Sequence, residues 1–155
     1  SLIDAGADII TQHQNTTGPQ QAAQERGKFG IGYNLDMSAV APKAVLTSAI
    51  WNWGPFYKKV VEGVQNGTWK MENYWGGMKD GVVDIAPYGP MVKEDTKKIV
   101  DAAKQGIKDG KLMIFKGPLK DQEGNLKIAD GQVMADKELL SFDWFVEGVE
   151  GNIAK

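Results

Sequence analysis

Short apolar runs alternate with polar, amphipathic stretches along this chain, and the alternation predicts an α/β fold with a mainly parallel sheet flanked by helices. The run Ala7–Thr11 predicts a buried strand, followed by a polar turn and a helix over Gln20–Arg26. Gly27 ends that helix, because a left-handed cap costs glycine little. Phe29–Tyr33 predicts a second strand, and such strand–helix–strand units form parallel pairs with right-handed crossovers. Ala44–Ile50 reads as a third strand. Pro55 opens a helix that runs to Asn66 and is closed by Gly67, with Phe56, Val60, Val61 and Val64 sharing one face. Trp69–Trp75 and Val82–Ala86 read as extended segments, and Pro87–Pro90 interrupts the pattern. A helix from about Lys93 to Asp109 places Ile99, Val100, Ala103 and Ile107 on its inner side, and Leu112–Phe115 reads as a strand. The polar stretch after Gly117 predicts a hairpin around Glu123-Gly124. A last helical stretch starts near Asp136, whose side chain is placed to cap it, and carries Leu139, Leu140, Phe142, Trp144, Phe145 and Val146. The opening SLIDAGADIITQ passes from a short amphipathic tail straight into a buried strand, so a piece of a longer protein is expected.

Composition narrows the chemistry. The chain has 155 residues, 42% hydrophobic and 25% charged, with a net charge of −2. The lysines are scattered, which argues against a nucleic-acid partner held through its phosphates. No cysteine is present, so disulfides and thiolate metal sites are excluded. His13 is the single histidine, too little for a histidine-based zinc site or a Ser-His-Asp triad. No apolar run approaches the length of a membrane span.

Four of the five tryptophans, Trp51, Trp53, Trp69 and Trp75, fall within Thr47–Lys79. Indole offers a broad apolar face and one N–H donor, suited either to core packing or to a pocket for a planar ring. In open α/β sheets ligands lie beyond the carboxyl ends of the strands, which marks Gln12–Gly18 and Asn34–Ser38. Asn15, Asp36, Asn52 and Lys79 occupy segments near those ends, mixed with Trp51, Trp53 and Trp75. Singly, each polar residue also reads as a turn, a cap or a solvated edge; the constellation carries the binding expectation. Enzyme chemistry has less support. There is no phosphate loop or dinucleotide fingerprint, Asp80 and Asp84 are poorly spaced for a carboxylate pair, and Ser38, Ser48 and Ser141 lack a nucleophile elbow. No cofactor is expected.

The runs ADIITQHQNTTGPQQAAQERGKFGIGYNLDMS, LTSAIWNWGPFYKKVVEGVQNGTW, YWGGMKDGVVDIAPYG, FKGPLKDQEGNLKIADG and SFDWFVEGVEG resemble, in order and spacing, the basic membrane protein (BMP) family. These are substrate-binding lipoproteins of ABC importers, related to purine-nucleoside-binding members. The resemblance implies the type I periplasmic-binding fold, with two α/β lobes around a ligand cleft, and a match to the C-terminal half only, members being roughly twice this length. By analogy, residues 1–45 and 82–155 belong to the second lobe, and 46–81 cross to the first and back. In nucleoside-binding relatives an Asp after the GY-x-x-D strand and a Lys in the G-x-K-x-G segment hold the ribose; here those positions resemble Asp36 and Lys79. The turn HQNTTG departs from the Gly-rich turn of many relatives. With WNW and YWGG it is similar to a purine-base branch, in which His13, Asn15 and Trp53 would contact the base and Trp51 would pack the hinge. The resemblance implies no reaction, a small-molecule ligand (a purine base or nucleoside), an ABC permease as partner, and an extracytoplasmic, lipoprotein-anchored location. An extracellular ligand sensor of the same fold is the alternative, followed by a nucleoside- or glycoside-processing enzyme using Asp36, Asp80 or Asp84. A half-chain is expected to persist with the missing half or with another copy.

Overall fold

The first strand is shorter than the expected Ala7–Thr11 and is largely exposed rather than buried, Ile9 at 49%, and polar contacts of Asp4 with Arg26 and of Asp8 with Lys28 tie the segment down. A computed structural model describes residues 2–152, in two compact units, Ser1–Asp109 and Gly110–Lys155. In the first unit, β1 (Ile9–Thr11), α1 (Gly18–Glu25), β2 (Phe29–Asn34), β3 (Val45–Trp51), α2 (Gly54–Gln65), β4 (Val83–Ile85) and α3 (Glu94–Lys108) follow one another. The sheet order is β1-β2-β3-β4. The pairs β1–β2 and β2–β3 are parallel, as expected from the strand–helix–strand pattern, whereas β4 joins β3 antiparallel, Ile50 lying opposite Asp84. The sheet is therefore mixed.

Close packing on β2 is possible because its two inward residues, Gly30 and Gly32, are buried and have no side chains. A Cβ on Gly30 would strike the buried amide of Gln20, and one on Gly32 would meet Ser48 and Met37. Ala23 of α1 joins Met37, Ala41, Ala44 and Val45 in a small core. The chain returns past β4 at Gly89, whose N–H donates to the Leu46 carbonyl at 2.8 Å. A side chain there would run into the carbonyl oxygen of Val45. Helix ends follow the glycines: Gly27, Gly67 and Gly110 take φ of 64°, 69° and 69°.

Helix α3 fully buries no residue; of the inner stripe expected from its periodicity Val100 and Ile107 are half-buried, whereas Ala103 and Ile99, the latter 72% exposed, are not covered within the described residues. Its ties to the sheet side are polar. Lys104 and Lys108 both pair with Asp84 of β4, and the Tyr88 hydroxyl donates to Asp101 at 2.7 Å. Partial burial pushes the Asp84 carboxyl up, but the Lys104 hydrogen bond, the Ile85 N–H and both lysine charges outweigh it and leave it below the ordinary carboxylate range. Burial and the bond to Asp101 push the Tyr88 hydroxyl up to about 12. Helix α2 likewise leaves Val61 and Val64 exposed.

Several expected elements are absent. Trp69–Trp75 forms no strand; the Thr68 and Trp69 N–H groups donate to the Gly63 carbonyl and fold the segment back on α2 instead. In the second unit Leu112–Phe115 forms no ladder, the Phe115 carbonyl only accepting from Met134. The hairpin is present as β5 (Leu119–Lys120) against β6 (Leu126–Ile128). Helix α4 spans only Asp136–Leu140, and Glu138 rather than Asp136 caps it, its carboxylate accepting the Ala135 N–H at 2.7 Å. The aromatic residues beyond it leave the helix to pack ring on ring, Phe142 against both Phe115 and Trp144.

Gly89→Ala is expected to destabilise the protein by about 1–3 kcal/mol in urea unfolding. Gly77→Ala, where a Cβ meets nothing within 4 Å, serves as the neutral control. The depressed carboxyl of Asp84 stabilises the fold above its unfolded value of 3.8, and that contribution is lost as pH falls through the still lower folded value. Asp84→Asn should therefore cost on the order of 1 kcal/mol near pH 7. The gap to wild type should close in acid, which unfolding curves across the acid range would read.

Candidate functional site

An aromatic ladder runs across the carboxyl ends of the parallel strands. His13, in the turn after β1, lies 4.4 Å from the Tyr33 ring of β2, measured between centroids. Tyr33 meets Trp51 at the end of β3 edge-on at 6.5 Å, and Trp51 stacks with Trp53 at 6.0 Å and 20°. Trp53 continues to Phe56 and Tyr57 on α2, and Phe56 packs on Tyr74 at 4.3 Å. The geometry follows from the register. Tyr33 and Asn34 of β2 pair with Ala49 and Ile50 of β3, so both strands deliver their aromatic ends to the same edge.

Two stacking distances amount to roughly 7 Å. The indoles of Trp51 and Trp53, 6.0 Å apart, therefore leave no slot for a ring between them and present their outer faces instead. Both are about 40% exposed. A cavity of about 430 Å³ opens beside them, lined by Trp51, Trp53, Tyr74, Trp75, Gly76, Gly77 and Val83. Its glycine rim is set by Asp80, whose carboxylate accepts the Gly77 N–H at 2.9 Å. A larger groove, about 660 Å³, lies between α2 and residues 68–72 and is lined by Tyr57, Val60, Trp69 and Met71 among others. That groove contains none of the residues expected to bind ligand and lies away from the strand ends, so the smaller cavity is the better candidate.

The predicted residues divide accordingly. His13, Trp51 and Trp53 fall on the ladder, and Trp51, Trp53 and Trp75 on the cavity. Asn15 is exposed in the turn after β1, and Lys79 is exposed in the turn before β4. Asp36 follows a sharp turn at Asn34, which adopts φ 73°, and its Oδ1 accepts the Ser38 N–H at 2.8 Å. Asn52 donates its backbone N–H to the Val82 carbonyl at 2.7 Å. Asp80 and Asp84, considered for acid–base work, are engaged in the Gly77 turn and the α3 strap. Tyr33 and Tyr74 escaped the sequence reading, although Tyr33 stands at a strand's carboxyl end and the strand-end rule points to it. Among the described residues no cluster of metal-ligating side chains occurs, and no helix is long and apolar enough to cross a membrane.

A family model for PnrA-like ABC transporter substrate-binding proteins matches residues 1–122. A purine-binding protein of Brucella abortus is 40% identical over 153 residues, covering 99% of this chain and 43% of that protein. A Haloferax volcanii protein described as an ABC transporter glucose-binding protein is 33% identical, covering 99% and 37%. This chain thus spans about two fifths of these relatives' length. Among solved structures, an ABC transporter solute-binding protein from Conexibacter woesei superposes with a TM-score of 0.55 at 23% identity, over 73% of this chain and 39% of that one. A transcriptional activator of the comK gene from Bacillus halodurans does so at 0.61 and 21%, over 68% and 38%.

In a double-mutant cycle of Trp51→Ala and Trp53→Ala, unfolding free energies should show a coupling of about 0.5–1.5 kcal/mol. Additive effects would contradict the stacked pair. With a family model matching most of its length, this chain belongs to the PnrA-like ABC transporter substrate-binding family.

Proposed function

We propose that this chain is part of an extracytoplasmic, lipoprotein-anchored binding protein that captures a purine base or nucleoside for an ABC permease. The carrying observation is the ladder from His13 through Tyr33 and Trp51 to Trp53, flanked by a cavity with Trp75 on its wall. A flat, polarisable ring stacks on exposed indole faces, and a purine is such a ring. The 40% identity to a purine-binding protein supports the same reading. Asn15 and His13 supply hydrogen-bonding groups for ring nitrogens, while Asp36 and Lys79 suit the hydroxyls of a ribose.

Residues 46–81 would cross to a first lobe and back, with 1–45 and 82–155 forming the second. The exposed apolar side chains of Tyr57, Val61, Val64, Trp69 and Met71 support this, since such a patch calls for a cover. Ligand would then bridge two lobes and stabilise a closed form that the permease recognises. A sugar is the second reading, favoured by the glucose-binding description of one relative; sugars also lie against indole faces.

Tryptophan fluorescence of the full-length protein should change saturably with adenine or adenosine. Trp53→Ala should weaken that binding roughly tenfold to a hundredfold. Asp36→Asn should reduce affinity for adenosine more than for adenine. Flat titrations with every purine, together with saturation by glucose, would replace this reading with the sugar one.

A further inference from the structure

Beneath the loops after β1 and β2 runs a chain of polar contacts that the aromatic site does not itself explain. It starts at Gln20 on α1, which is fully buried. Its Nε2 donates to Gln12 Oε1 at 3.0 Å and to the Ile31 carbonyl at 3.0 Å. That carbonyl can only accept, which fixes the orientation of the amide. Gln12 Nε2 donates in turn to the Gln14 carbonyl at 2.8 Å and the Thr16 carbonyl at 2.6 Å, the pair that brackets Asn15. The same nitrogen lies 3.8 Å from Met37 Sδ, and the Met37 N–H donates to the Oγ of buried Ser48 at 3.2 Å. One continuous network thus reaches the loop of His13 and Asn15 and the residue next to Asp36.

The network is costly for the core. A buried amide loses its hydration, and among the described residues Gln20 Oε1 finds no hydrogen-bond partner to compensate. It presses instead on the face of Gly30, where any side chain would collide. An apolar residue would fill position 20 without that cost, so the amide's use lies in what it holds.

We infer that Gln12 and Gln20 are positioning residues for ligand binding: they preset the His13–Thr17 loop so that Asn15 and His13 need no ordering when ligand arrives. This rests on the purine-binding reading above. A loop ordered in advance spares binding the entropy of ordering it. The loop hangs on Gln12, whose one amide nitrogen serves carbonyls on both sides of Asn15.

The test uses the full-length protein with Gln12→Glu, which keeps the acceptor for Gln20 but removes both donors, and Gln12→Met, which keeps the stem's bulk. Adenine affinity and hydrogen exchange of residues 12–18 are measured together. Both variants should bind adenine about tenfold more weakly. Loop exchange in the ligand-free protein should be faster by a similar factor, with β2 and β3 unchanged. Wild-type affinity in either variant overturns the proposal, as does an equal rise of exchange across β2 and β3, which would mark a general loss of stability. Should wild type bind no purine, the purine reading fails alone. Faster loop exchange in both variants would then still uphold the positioning network, and unchanged exchange would overturn it.

Discussion

The structure of the first unit depends on the absence of side chains at Gly30 and Gly32. These positions share one face of β2, where Gln20 approaches the strand backbone at Gly30, and Met37 with Ser48 at Gly32. Close approach lets a polar network and a small apolar core share the same layer. It brings α1 and the return toward β3 against the strand, and the strand ends carry His13, Tyr33 and Trp51 to one edge. A side chain at Gly30 would strike Gln20 and one at Gly32 would strike Ser48 and Met37, so the two positions guard the polar contacts and the core respectively.

Much of the fold was legible because glycine and proline mark it. Pro55 and Gly67 bound α2, and Gly27 and Gly110 end α1 and α3, each glycine with positive φ. The parallel start of the sheet followed from strand–helix–strand spacing. Less legible were properties that depend on partners remote in sequence. Trp69–Trp75 has the composition of a strand but pairs with no strand among the described residues, and the Trp69 N–H donates to the Gly63 carbonyl instead. The stripe of α3 has the right period, yet the helix is held through Asp84 and Tyr88 rather than by burial of Ile99.

The same division holds for the site. The tryptophan-rich wording of Thr47–Lys79 pointed to Trp51, Trp53 and Trp75, and the structure places these on one cavity. Tyr33 lies at the carboxyl end of β2, just before the loop that the strand-end rule marks, so that rule reaches it only when the last strand residues are counted with the loop. Gln12 and Gln20 read as ordinary polar residues of a turn and a helix; only burial reveals that one amide supports the other. Asp80 and Asp84 reverse the lesson, since carboxylates that invite a catalytic reading are committed to a turn and to two lysines.

The measurement that bears most directly on the aromatic ladder is a crystal structure of the full-length protein grown with adenine. The account predicts a flat ring against the exposed indole of Trp53 or Trp51, with polar contacts from the loop of His13 and Asn15. Ligand bound elsewhere, with the ladder covered only by protein side chains, would contradict it and reduce the rings to packing.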